Sequence, residues 1–291
     1  MAFSEQLIQS LSKAFDTPWP GPRGNLSTIG SDVLSVTVCP EDGARVVSLK
    51  HKGVELLRQY NPNRRAFQYG CFPMVPFVGR LRNGDICYAG EKHHLYQNKG
   101  QNAMHGMAHF DPWHLNECSS TKLRMTLNVG EPWPWQCKVI QEVNVIGNVL
   151  ELSLQILTDK DIFPVDAGWH PWFLKEPDND GTSVLKIDFK ADSMEETGSD
   201  ELPTGNRVSP KEGPWDDCFN FEKYNASAIL SYRNKRTITM TSNCPALVVF
   251  DKQPDASCIN PMSGVPNGLN TNPHVISPNL SLTAKSKWVF E

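Results

Sequence analysis

Lys138-Val-Ile-Gln-Glu-Val-Asn-Val-Ile-Gly-Asn-Val-Leu-Glu-Leu-Ser-Leu-Gln-Ile-Leu157 carries the pattern that decides the fold. On both sides of Gly147-Asn148 the apolar residues recur at every second position, which turns one face of each run toward a core and the other toward solvent. A Gly-Asn pair between two such runs is a tight-turn signal, so the stretch reads as an antiparallel hairpin. Period two or enrichment in β-branched residues recurs over residues 33–38, 45–49, 122–129, 236–241 and 247–250. The 22 prolines and 20 glycines are dispersed along the chain, so no linker stands out and no internal repeat is visible. The expected fold is all-β: one large twisted antiparallel β-sandwich domain over residues 1–291.

The N-terminus departs from this pattern. Ser4 is a plausible N-cap, Leu7, Ile8, Leu11 and Phe15 share one helical face, and Thr17-Pro-Trp-Pro-Gly-Pro22 breaks the run. Residues 1–20 therefore read as a short helical extension docked on the body.

Composition narrows the function. A net charge of −4, a pI near 6.1 and the lack of any Lys/Arg run argue against nucleic acid or an anionic membrane as partner, and favour a small neutral ligand. No apolar stretch is long enough to span a bilayer and no secretory leader is recognisable, so a soluble, cytoplasmic protein is expected. The eight cysteines lack CxxC pairs and read as buried free thiols. Oligomeric state is not legible.

Two histidines sit in dense local motifs, His105 in Asn102-Ala-Met-His-Gly106 and His170 in Gly168-Trp-His-Pro-Trp-Phe173. Gly, Pro and Trp around an imidazole hold it stiffly, as proton transfer requires, although ordinary core histidines are equally compatible with the spacing. Trp169, Trp172 and Phe173, with Trp113 near His105, offer apolar faces suited to a sugar ring. His105, His109 and His114 are close in sequence, but Gly106 and Pro112 disrupt a helical ligand face, so no metal is expected. A Gly-x-Ser-x-Gly nucleophile elbow and a phosphate-cradling Gly-rich loop are both absent from the sequence.

In sequence order from about residue 30 to 288, these segments resemble the aldose 1-epimerase (galactose mutarotase) family. Phe72-Pro-Met-Val-Pro-Phe-Val-Gly-Arg-Leu-Arg-Asn-Gly84 is similar to its Pro-x-x-Asn-Arg-Ile segment, Asn102-Ala-Met-His-Gly106 to its Asn-x-Leu-His-Gly, and Pro164–Phe173 to the segment with its second histidine. Leu202-Pro-Thr-Gly205 and Trp215-Asp-Asp-Cys-Phe219 are similar to the region supplying a hydroxyl-binding aspartate, with Asp216 the better match and Asp217 left open. Asn260–Asn270 resembles Glu-Pro-x-Thr/Ser-x-x-Pro-x-Ala-x-Asn.

The resemblance implies the mutarotase supersandwich and interconversion of the α and β anomers of a neutral hexose without a cofactor. It implies His170 as acid, His105 as a second catalytic histidine that binds and polarises the reacting oxygens, and Arg80 and Asp216 or Asp217 as sugar-binding groups; from its place beside His170, Trp169 is expected to stack on the sugar. Two positions depart from the family pattern. Gly79 replaces the asparagine before the binding arginine, removing one hydrogen-bonding side chain and leaving room for a wider pocket. Asn260 stands where the family has its base glutamate, and an amide accepts no proton at neutral pH. A mutarotase with an impaired or substituted base and a non-catalytic sugar-binding protein are the two resulting readings. Arg82 and Lys99 lie near the motifs, but no basic cluster suggests a phosphorylated sugar.

Overall fold

The computed structural model describes residues 18–19, 21–178, 184–222, 225–233 and 236–291. The helix expected within residues 1–20 lies outside the described residues, apart from Pro18 and Trp19. Trp19 is buried, and its indole donates to Asp42 at 2.9 Å.

The architecture is all-β, a sandwich of two large antiparallel sheets. The decisive hairpin forms as expected: Cys137–Ile146 pairs with Val149–Leu157, with Ile146 opposite Val149 and Gly147 at φ +58° in the two-residue turn. Its alternate residues Val139, Val143, Leu150, Leu152, Leu154 and Ile156 are buried, and the residues between them are mostly part-exposed. Leu282–Phe290 extends the sheet on the far side of the hairpin, and Trp288 pairs with Leu150 within the core. This sheet has eight strands.

The other sheet has eleven strands and carries the site. Its centre runs Arg45–His51, Cys71–Met74, Gly168–Leu174, Ala256–Met262, Ala246–Phe250 and Asp216–Asn220 in spatial order. One main hydrophobic core fills the space between the sheets, drawing Leu49, Trp169, Phe173, Phe219, Val249 and Ile259 from this sheet and Leu152, Met240 and Trp288 from the other. A second, smaller apolar cluster formed by Phe72, Met74, Trp172, Ala246, Cys258 and Met262 covers the opposite face of the eleven-stranded sheet. Side chains of a strand alternate between its two faces, so this sheet holds the sandwich together on one side and builds a second surface on the other.

Candidate active site

That second surface floors a cleft of about 520 Å³. In Gly168–Leu174, Trp169 and Phe173 enter the inter-sheet core, whereas His170 and Trp172 line the cleft. Asn260 and Met262, Val248 and Phe250, and Asp216 face it from the next three strands. The register makes two rows of these side chains. Phe72 pairs with His170, the pairing of Gly168 with Met262 and Trp172 with Cys258 sets His170 level with Asn260, and Val248 lies opposite Asn260. One step along, Trp172, Cys258, Phe250 and Asp216 form the second row.

Loops close the sides. The short ladder of Arg80–Leu81 with Ala103–Met104 brings Arg80 opposite Met104, and the His105 amide donates to the Gly79 carbonyl at 2.8 Å. His105 has φ +63°, and Gly106 follows at φ +67°, where a Cβ would lie 2.1 Å from the Val75 carbonyl. The glycine of Asn-Ala-Met-His-Gly is therefore a steric requirement for setting the histidine at the cleft. From the other side, Asn267 clasps the arginine segment: its amide donates to the Arg80 carbonyl at 2.7 Å, and its Oδ1 accepts from the Arg82 amide at 3.2 Å.

The two imidazoles meet edge to face with centroids 4.9 Å apart. Phe72 stacks on His170 at 4.8 Å, and the Arg45 guanidinium lies behind Phe72 at 5.0 Å. Burial pushes the His170 pKa down to about 3, with Arg45 adding to the effect. His105 is held well below the ordinary histidine value, first by burial and then by His170, His109 and Arg80. Both rings are thus neutral near pH 7, each with one N–H and one lone pair. Burial raises the Asp216 carboxyl, opposed by Lys252 and Arg80.

Five side chains that line this cleft carry a buried polar atom with no hydrogen-bond partner among the described residues: Arg65 Nε, Arg80 Nε, His105 Nδ1, His170 Nδ1 and Asn260 Oδ1. Leaving one such group unpaired costs about 1–3 kcal/mol, so five together mark a surface built to meet a polar ligand.

The cleft therefore gathers His105, His170, Asn260, Arg80 and Asp216, and leaves out two residues expected there. Trp169 is a core residue, because its neighbour His170 takes the cleft-facing position and period two sends the tryptophan the other way. Trp172 is the indole that lines the cleft, with its N–H on the Phe67 carbonyl at 2.9 Å and the Arg58 guanidinium 4.5 Å from its ring. Asp217 likewise alternates away from Asp216; it is buried, ion-paired with Lys211 at 2.7 Å, and does not line the cleft. At Gly79 the expected extra room is taken, since a Cβ there would lie 3.0 Å from Pro266.

No three His, Cys, Asp or Glu side chains among the described residues are placed to hold a metal. His109 is buried against Phe72, and His114 is exposed on a strand of the eight-stranded sheet. Sequence reading missed Arg65, Phe67 and Gln68, which line the cleft from the one-turn 3₁₀ helix Ala66–Gln68 and its N-cap, and Gln253, which lines it from a loop. No spacing or motif distinguishes them. Arg82, by contrast, is ion-paired with Asp200.

Comparison with known proteins agrees with this fold. YphB of Escherichia coli K12, an uncharacterised protein, is 25% identical over 125 residues, which is 42% of this chain and 43% of YphB. The chain thus spans less than half the length of that curated relative. Among solved structures, a galactose mutarotase-like protein of Clostridium acetobutylicum superposes with a TM-score of 0.79 at 17% identity, covering 90% of this chain and 93% of the other. Galactose 1-epimerase of Lactobacillus acidophilus gives 0.76 at 20% identity, covering 91% and 93%. At these identities the superpositions establish the fold alone. The sequence pattern of the family described as aldose 1-epimerase matches residues 26–291, and the chain belongs to that family.

Proposed function

We propose that this chain, acting as one domain, binds a neutral aldohexose in the cleft and interconverts its α and β anomers, at a rate limited by Asn260. The observation that carries the reading is the convergence of five side chains with buried, unpartnered polar atoms on one aromatic-walled cleft. Trp172 and Phe250 offer ring faces to the sugar's C–H surface, and Arg80 and Asp216 offer charged hydrogen bonds to its hydroxyls.

Ring opening breaks C1–O5, removes the proton of the C1 hydroxyl and delivers one to O5; closure on the other aldehyde face reverses each step. In this reading a neutral His170 hydrogen-bonds through its N–H to O5 and supports the negative charge that develops there, while the lone pair of His105 takes the C1 hydroxyl proton and the imidazolium so formed returns it to O5. Asn260 Oδ1 accepts a hydrogen bond from that hydroxyl and orients it. It cannot take the proton. A base depressed by burial is weak, and lack of a carboxylate costs about 10²–10⁴-fold. Asn260 also favours a second reading, sugar binding without turnover, because every other group of the site is retained.

Eight cysteines without a disulfide fit a reducing compartment, and we place the protein in the cytoplasm. No described helix is long and apolar enough to cross a membrane. Calorimetry with galactose, glucose and glucose 6-phosphate tests the ligand assignment: millimolar or tighter binding of a neutral hexose is expected. Absence of hexose binding by the folded protein overturns the whole reading, and binding of the phosphate ester alone overturns its neutral part.

A further inference from the structure

Residues 263–274 leave the eleven-stranded sheet after Ala256–Met262 and are pinned at both ends on one buried oxygen. Asp166 Oδ1 accepts from the Ser263 hydroxyl at 2.7 Å and lies 3.0 Å from His274 Nδ1. Backbone bonds double each end: Ser263 donates to the Ala167 carbonyl and Val165 to the His274 carbonyl, both at 2.8 Å. The Ser263 hydroxyl also accepts from the Ala167 amide at 2.9 Å.

Short links run from Asp166 to both sides of the site. Its amide donates to the Pro76 carbonyl at 2.8 Å, in the segment that leads to Arg80, and it lies just ahead of Gly168–Leu174, the strand of His170. Within the pinned loop, Pro266 lies against Gly79 and the Asn267 amide donates to the Arg80 carbonyl at 2.7 Å. Asp166 itself is buried and does not line the cleft. A carboxylate so deeply buried is costly unless hydrogen bonds and a positive charge compensate it.

His274 supplies that charge. Its side chain is 41% exposed, so its proton exchanges with solvent. The bond to Asp166 holds the imidazole above its ordinary value, with burial opposing, and burial raises the Asp166 carboxyl, with His274 and Ser263 opposing. His274 lines a groove together with Glu195, Arg207 and Glu222, where Arg207 is ion-paired with both glutamates. Near Asp166, the Cys244 thiol is pushed up to about 12 by burial and stays protonated. His274 is therefore the member of this cluster that changes charge just above neutral pH. Its contribution to stability is complete below pH 6.5 and is lost as pH rises through its folded value.

We infer that Asp166 and His274 are a positioning pair for the proposed reaction, a buried lock that sets Arg80 and His170 against the sugar and slackens when His274 loses its proton. This rests on the proposed binding of a hexose in the cleft. With His274 charged, the carboxylate is compensated and the loop behind Arg80 is held at both ends. With His274 neutral, Asp166 keeps hydrogen bonds but no counter-charge, and the backing of Arg80 loosens.

Calorimetry with glucose on the full chain from pH 6 to 8.5, for wild type and His274→Asn, tests this, since the amide keeps a donor near the place of Nδ1 and removes the charge. Wild-type affinity is expected to fall about three- to tenfold across the range, within the tenfold per pH unit that one proton allows, and His274→Asn to stay at the weaker level throughout. His105 and His170 are already neutral over this range and do not mimic the effect. By reciprocity, saturating glucose is expected to raise the pH at which the wild-type His274 ring titrates, read by NMR. Glucose binding with parallel pH profiles for the two proteins, or a His274 titration that glucose does not move, overturns the inference alone. Absence of glucose binding by the folded wild type at every pH overturns it together with the proposed function.

Discussion

At the scale of single residues, the site is defined by what each side chain can no longer do. Asn260 sits level with His170, while Asp216 lies two strands away and one row over. Strand spacing and rise put its Cα about 12 Å from that of Asn260. Asp216 is therefore a poor substitute base, and a carboxylate restored at residue 260 would not share its site with another. Asn260→Glu is expected to raise anomer interconversion about 10²-fold or more, read by exchange NMR; no gain in a variant that still binds sugar would rule out Asn260 as a lost base. Arg80→Ala and His105→Ala are each expected to weaken hexose binding by about 1–3 kcal/mol, measured by calorimetry. The depressed His170 pKa has a sign in stability as well. The unfolded ring binds its proton near pH 6.5 and the folded one only near 3, so its contribution is complete above pH 6.5 and is lost as pH falls toward 3. Urea titrations from pH 7 to 4 should show a loss of up to about 1.4 kcal/mol per unit that His170→Gln lacks; equal slopes would contradict the buried neutral ring. The residues Arg80, His105, His170, Asp216 and Asn260 were legible because each lies in an ordered motif. Trp169 was misread because the sequence names an aromatic neighbourhood without saying which face each ring takes.

At the scale of elements, the solvent-faced hairpins and the cleft strand Ala246–Phe250 were legible, and the other cleft strands were not. Lys122–Val129 and Val149–Leu157 alternate because one face is wet. Cys71–Met74 and Ala256–Met262 are buried throughout, and Gly168–Leu174 is buried but for its last residue, so no alternation survives. Pro73, Pro171 and Pro261 further disguise them as loops. The one-turn helix Gly268–Thr271 is too short to have a period. The segment before it matters mechanically: Ser263 donates to the buried Asp166 at 2.7 Å, His274 Nδ1 lies 3.0 Å from the same oxygen, and Pro266-Asn267 between them backs Gly79 and Arg80. A Cβ on Gly264 would come within 2.5 Å of that carboxylate, so the close approach depends on glycine. Ser263→Ala is expected to cost about 1–3 kcal/mol of stability and to lower hexose affinity as Arg80 loses its backing. Denaturation and calorimetry on one preparation check this; a stability loss with unchanged affinity would separate the loop from arginine positioning.

At the scale of the whole molecule, one sheet serves two purposes. Its inner face shares the sandwich core, and its outer face presents the rows of Phe72, His170, Asn260 and Trp172, so the rigidity of the core is passed to the site through the strands themselves. Proton transfer on neutral groups needs no metal, and dialysis against a chelator is expected to leave unfolding midpoint and anomer exchange unchanged; loss of stoichiometric zinc together with activity would contradict that. The central claim is that this site moves protons as well as binding sugar. The direct measurement is the α-to-β interconversion rate of galactose and glucose by exchange NMR, for wild type and His170→Ala, each against spontaneous mutarotation. The account predicts a wild-type rate above the spontaneous one that His170→Ala returns to background. A wild type that binds hexose yet leaves the spontaneous rate unchanged would contradict it and identify the protein as a sugar-binding module.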